Sequence, residues 1–174
     1  RRGLDEPEFE LIDTGVFAED RYFDVFTEYA KGDPDDIAIR MTVHNRGPEA
    51  ARLHVLPTVW FRNTWSWTPD TTRPSLRIAD GTGGSVMALA EQLYGRRYLY
   101  CDDAPEILVT ENDTNTRRLY GVDARGPFKD GINDAVVDGR RDALSVDGAG
   151  TKAAARYIRE LPPDGWGRLR LRLT

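Results

Sequence analysis

Ile37-Ala38-Ile39-Arg40-Met41-Thr42-Val43 is the stretch that decides the fold. Its larger apolar residues fall at every second position, Ile37, Ile39, Met41 and Val43, with Ala38, Arg40 and Thr42 between them. A period of two belongs to an extended strand with one face buried and one wet, because successive side chains leave the backbone on opposite sides. Asn45-Arg46-Gly47-Pro48 follows with turn chemistry, and the next run alternates again, with Leu53, Val55, Val59 and Phe61 set against Arg52, His54, Thr58 and Trp60. The expectation is a hairpin joining these two strands across the turn, with the odd positions facing the core. Pro57 has no backbone donor, so a bulge, an edge position or a bend is expected there. On the N-terminal side, Phe23, Val25, Thr27 and Tyr29 alternate with Tyr22, Asp24, Phe26 and Glu28. A strand aromatic on both sides is expected to be covered on both faces.

Further along, short strands are expected at Leu76 to Ile78, Tyr98 to Cys101, Ile107 to Thr110, Ala153 to Leu161 and Leu169 to Leu173, separated by Gly, Pro and Asp clusters. Met, Ala, Leu, Glu and Gln between Ser85 and Tyr94 favour helix, but the position between two strands argues for another strand, which is the reading taken. One short helix is expected at Thr116 to Tyr120, opened by Asp113 or Asn115 as N-cap and stopped by Gly121. Amphipathic crossover helices are missing, which excludes a doubly wound α/β fold. The fold class is therefore all-β, an antiparallel two-sheet sandwich with one or two short helices, spanning 1–174 as a single domain.

Composition narrows the function. Lys and Arg number 24 against 29 Asp and Glu, for a net charge of -5, so no basic field exists to hold nucleic acid. No apolar run reaches the ~20 residues needed to span a bilayer, and no leader-like start is visible. Cys101 is the sole cysteine; a disulfide framework and multi-thiolate zinc sites are excluded, and a reducing compartment such as the cytoplasm is favoured. No cofactor or metal is implied. A start at Arg1-Arg2-Gly3 without Met and a finish on strand-like Leu169 to Leu173 read as a segment of a larger protein.

Two clusters could carry chemistry. Trp60-Phe61-Arg62-Asn63-Thr64-Trp65-Ser66-Trp67 places three of the four tryptophans at a strand end and in the loop beyond it. Trp60, Trp65 and Trp67 could stack on sugar rings while Arg62 and Asn63 bind hydroxyls, yet a large aromatic loop is also what core or interdomain packing looks like, and packing is preferred. Lys129-Asp130-Gly131-Ile132-Asn133-Asp134 reads as a polar loop in which Lys129, Asp130, Asn133 and Asp134 could touch glycan or a neighbouring domain. Paired carboxylates can cleave glycosidic bonds when about 5 or 6.5–9.5 Å apart, but a solvated or backbone-capping loop is the simpler reading. Asp33-Pro34-Asp35-Asp36 and Asp102-Asp103 read as turns, and Glu111 to Asn115 as a strand end that caps the helix. His44 and His54 sit on outward positions, Arg168, Arg170 and Arg172 form the polar side of a strand, and Cys101 is a packing residue.

Five segments taken together, Tyr22 to Phe26, Pro57 to Trp65, Thr110 to Asn115, Lys129 to Asp134 and Gly150 to Ala153, resemble bacterial and fungal glucosidase-like proteins related to glycoside hydrolase family sixty-three. The resemblance covers nearly the whole chain. It implies a large antiparallel sandwich, similar to the galactose mutarotase fold, that precedes a catalytic (α/α) barrel carrying the acid and base. No residue of this chain matches those carboxylates. The resemblance thus implies a non-catalytic accessory domain whose partner is the catalytic domain of the same polypeptide, with an oligosaccharide as a possible ligand. The alternatives are a carbohydrate-binding module or, less favoured, an aldose epimerase-like enzyme built on His44 or His54 with an acid.

Overall fold

The structure, a computed structural model, describes residues 3, 5–67 and 71–174; Arg1 and Arg2 lie outside the described residues. Strands occupy 43% of the chain and helices 11%, as the two-periodic patterning requires. β1 (Phe23–Asp33) and β2 (Asp36–Asn45) pair antiparallel, from Phe23 opposite Asn45 to Asp33 opposite Asp36. The acidic Asp33-Pro34-Asp35-Asp36 segment makes their turn. β3 (Ala51–Val55) and β4 (Thr58–Trp60) follow, then β5 (Ser75–Ala79), β6 (Ser85–Glu91), β7 (Gly95–Cys101) and β8 (Glu106–Thr110). Helices α1 (Thr116–Tyr120) and α2 (Gly131–Val137) precede the short β9 (Ala149–Gly150), β10 (Lys152–Leu161) and β11 (Trp166–Leu173).

Seven strands form one sheet in the order β1-β2-β11-β7-β6-β5-β9. In the second sheet β10 is central, with β3 and β4 along one edge and β8 along the other. Every pairing is antiparallel. Between the sheets, Val43, Leu76, Met87, Leu99, Cys101 and Leu169 from the wide sheet share a core with Val55, Val109, Ala153, Ala155 and Tyr157 from the narrow one. Ile39, Met41, Leu53, Val59 and Phe61 pack against that core, so the odd positions of both alternating runs face inward; Arg40 faces out. The other side of the narrow sheet is also covered. Leu108 and Ala154 pack there against Ile132 of α2, with Leu56, Val136 and Leu144 around them.

Three expectations need correction. The Ile37 to Val43 strand does not form a hairpin with the Leu53 to Phe61 run: β2 pairs with β1 and β11, while β3 and β4 lie along β10 in the other sheet. The chain crosses between sheets at Asn45. That amide is buried and donates to the carbonyls of Glu49 (2.7 Å) and Leu161 (3.0 Å), while its Oδ1 accepts from Gly47 N (2.9 Å). The turn residues do end the strand, but buried hydrogen bonding sends the chain across the sandwich rather than back along the same sheet. Pro57 marks the gap between β3 and β4, and its carbonyl still accepts from Ala155 N at 3.0 Å.

Nor is β1 covered on both faces. Val25, Phe26 and Tyr29 are exposed, Tyr29 at 70%. Val25, Thr27 and Tyr29 lie on the core side, opposite Val43, Met41 and Ile39, but the narrow sheet does not extend beneath this edge strand. Finally, the Lys129 to Asp134 segment is not a solvated loop. Its second half begins α2, whose Gly131, Ile132, Asp134 and Ala135 are buried. Helix α1 follows the sequence reading: Asn115 Oδ1 accepts from Arg118 N, and Gly121 closes the helix at φ 69°.

Candidate functional site

The functional candidates gather at one end of the narrow sheet, where β4, β8 and β10 expose their termini. Phe61 N donates to Thr151 O at 3.1 Å, Asn112 N to Thr151 Oγ1 at 2.7 Å, and Asn112 Nδ2 to Phe61 O at 2.8 Å. Thr151 Oγ1 in turn donates to Glu111 Oε2 at 2.6 Å. These bonds tie the start of the Trp-rich loop to the end of β8 and the entry to β10. Gly150 belongs here by necessity, since a Cβ at this position would collide with the carbonyl of Thr110.

Asp113 is the hub of the Trp-rich loop. Its Oδ1 accepts from Asn63 Nδ2 (2.8 Å) and Trp65 Nε1 (3.1 Å), and its Oδ2 pairs with Arg73 (2.7 Å), which also pairs with Glu111 (2.8 Å). The Arg73 guanidinium lies over the Trp65 ring, 5.2 Å from its centroid, and Arg62 lies over Trp67 at 5.1 Å. Trp65 is therefore half-buried and fixed, whereas Trp60 and Trp67 stand 58% and 63% exposed. The loop is a braced platform with two outward rings.

The second cluster is joined to the first through the same segment. Lys129 N donates to Asp113 O (3.0 Å), Lys129 Nζ to Thr114 Oγ1 (3.2 Å) and Lys152 Nζ to Lys129 O (2.9 Å). Asn115 Nδ2 donates to Asp130 Oδ2 at 3.0 Å, and Arg118 Nη1 reaches Asp130 Oδ2 at 2.6 Å and Asp134 Oδ1 at 3.1 Å. Asp134 is only 5% exposed and accepts from Arg140 Nη1 as well, at 3.3 Å. Burial pushes the Asp130 carboxyl up, but the hydrogen bonds from Arg118 and Asn115 prevail and hold it below its ordinary value. That direction is opposite to the raised pKa of a glycosidase general acid. Asn133, by contrast, is exposed on the outer side of α2.

Two concavities open beside these clusters. One of about 870 Å³ is lined by Arg73, Glu111 and Thr151 on one wall and by Asp142, Ser145 and Asp147 on the other. The second, about 640 Å³, shares Gly126 and Asp142 with the first and lies against α1 and α2. Four carboxylates, Glu111, Asp113, Asp130 and Asp134, are each committed to an arginine and brace the surface.

The remaining sequence candidates lie elsewhere. His44 packs edge-on against Phe26, with ring centroids 5.7 Å apart. His54 is held below the ordinary histidine value by burial and by Arg156 and Arg52. Among the described residues no ion pair joins either histidine to a carboxylate. Cys101 is buried, and burial pushes its thiol up to about 11, which suits packing rather than nucleophilic use. Sequence reasoning missed Arg73, Arg118, Arg140 and Thr151, which carry the bracing. Thr151 was within reach, because it falls in one of the segments quoted for the family resemblance. The arginines gave no signal, being scattered in loops and a short helix.

No family model matches this chain. It is 27% identical over 208 aligned residues to the uncharacterized protein YMR196W of Saccharomyces cerevisiae (strain ATCC 204508 / S288c), an alignment taking in 99% of this chain and 19% of that protein. The chain thus spans about a fifth of the length of this relative. Four of the five segments quoted for the resemblance, all but Tyr22 to Phe26, meet at the end of the narrow sheet described above. No helix among the described residues is long and apolar enough to cross a membrane.

Proposed function

We propose that this chain is an accessory, non-catalytic β-sandwich domain of a cytoplasmic glycoside hydrolase-like protein, α-glucosidase-like in type, and that it seats a catalytic barrel of the same polypeptide on its Trp-rich rim. The observation that supports this reading is the braced platform itself. Trp60, at the end of β4 opposite Lys152, and Trp67, in a loop pinned at Asn63 and Trp65, both stand exposed. Covering an aromatic ring removes 150–250 Å² from solvent, which at ~25 cal/mol per Å² is worth several kcal/mol, and such rings on a rigid mount favour a partner.

Sugar binding is the second reading, and one observation bears on it. Arginines already lie over Trp65 and Trp67, and among the described residues none lies over Trp60. Packing against protein is therefore favoured over glycan stacking. Intrinsic fluorescence tests the choice. Adding the rest of the polypeptide in trans should shift the tryptophan emission to shorter wavelength, and Trp60→Ala/Trp67→Ala should abolish most of the shift. Emission that responds instead to α-gluco-oligosaccharides alone would move the chain to the carbohydrate-binding modules.

A further inference from the structure

The 640 Å³ concavity against α1 and α2 has a chemistry that the docking reading does not use. Four arginines line it, Arg117, Arg118, Arg125 and Arg140, against three carboxylates, Asp130, Asp134 and Asp142. Positive charge is thus in excess at this point of a chain whose net charge is -5. The guanidiniums fall into two pairs. Arg118 and Arg140 are fixed from behind: both donate through Nη1 to the buried Asp134, and Arg118 to Asp130 as well. Arg140 Nη2 lies 3.7 Å from Asp142 Oδ2 in a long ion pair, and no hydrogen bond among the described residues engages Nε or Nη2 of Arg118. Arg117 and Arg125 have no carboxylate partner among the described residues, although both line the same space.

Unpaired guanidiniums beside braced ones form an oxyanion receptor, because the planar fork of Arg matches carboxylate and phosphate geometry. Positions set in advance by Asp134 spare the ligand part of the ordering cost. A space of this size suits a small molecule rather than a polymer. Asp142, also on its wall and only loosely paired with Arg140 at 3.7 Å, supplies acceptors for hydroxyl groups. We infer that this concavity binds a small hydroxylated oxyanion, such as a sugar acid or a sugar phosphate. The site is independent of the Trp-rich rim and contains none of its residues.

Thermal unfolding of the 174-residue protein, with glucuronate, glucose 6-phosphate or glucose added at ~10 mM, tests the inference. At least one of the two anions should raise Tm, and neutral glucose should not. Stabilisation by both would mean that the oxyanion alone is read, whereas stabilisation by one would identify it as a carboxylate or a phosphate. Arg117→Gln/Arg125→Gln should keep the ligand-free Tm, since neither side chain braces the fold, and should weaken the anion at least about tenfold. Trp60→Ala/Trp67→Ala should leave anion binding intact, which keeps this outcome separate from that of the docking reading. Three results would overturn the inference: no shift with either anion, an equal shift with glucose, or a shift that persists in the double arginine variant.

Discussion

β10 and β1 are long strands of nearly equal length, each with four charged residues, yet they are buried very differently. β10, Lys152–Leu161, carries six apolar residues, three of them alanines, and four charged ones, and Ala153, Ala154 and Ala155 are completely buried. β1, Phe23–Asp33, carries two phenylalanines, a tyrosine and a valine, yet most of it is exposed. The difference is position. β10 has neighbours on both edges at its N-terminal half and is covered there on both faces, by the wide sheet and by α2, with alanines at 153–155 where the two layers press closest and Tyr157 filling the core beyond them. β1 pairs with β2 along one edge and overhangs the narrow sheet. Burial in this molecule follows layer geometry more closely than residue hydrophobicity.

The sharpest way to break this contrast is to enlarge β10. Ala154→Leu should drive three additional heavy atoms into the Leu108–Ile132 contact and cost about 1–3 kcal/mol or more, read as a fall in Tm or denaturation midpoint. A variant as stable as the parent would mean that α2 does not press on the narrow sheet. Next in size is Asp134→Ala, which releases Arg118 and Arg140 together. Both arginines are about half exposed, so the loss should be about 1 kcal/mol rather than the full cost of a buried ion pair. It should appear as faster proteolysis between α1 and β9.

Acidification should give a smaller loss in the same region. Hydrogen bonds from Arg118 and Asn115, acting against burial, depress Asp130, and the Arg141 hydrogen bond chiefly depresses Glu106. Carboxyls whose folded pKa lies below the unfolded value stabilise fully above the ordinary carboxylate range and lose that contribution as pH falls through it. Unfolding titrations should therefore show Tm falling below about pH 4.5, with Asp130→Asn flattening the decline. The smallest effect belongs to β1, where Tyr29→Thr should change stability by no more than about 0.5 kcal/mol in chemical denaturation. A large loss there would show that the overhanging edge is covered in solution.

Much of this fold was legible in residue order alone. The two-residue period put Met41, Val43, Val55 and Val59 on core-facing positions because that period is a property of the extended backbone itself. Asn115 and Gly121 announced α1 through local capping chemistry, which involves no distant partner. What the sequence could not supply were facts joining residues far apart in the chain. The sheet to which a strand belongs depends on contacts such as Asn45 with Leu161, 116 positions away. The braced state of Trp65 and the place of Arg117 beside Arg118, Arg125 and Arg140 likewise depend on what the loops bring beside them. Patterning and caps were settled by the sequence, since backbone geometry acts within a few residues. Sheet partners, the overhang of β1 and the union of the two candidate clusters around Asp113 and Asp130 were settled only by the tertiary structure, because hydrogen bonds and layer packing are blind to distance along the chain.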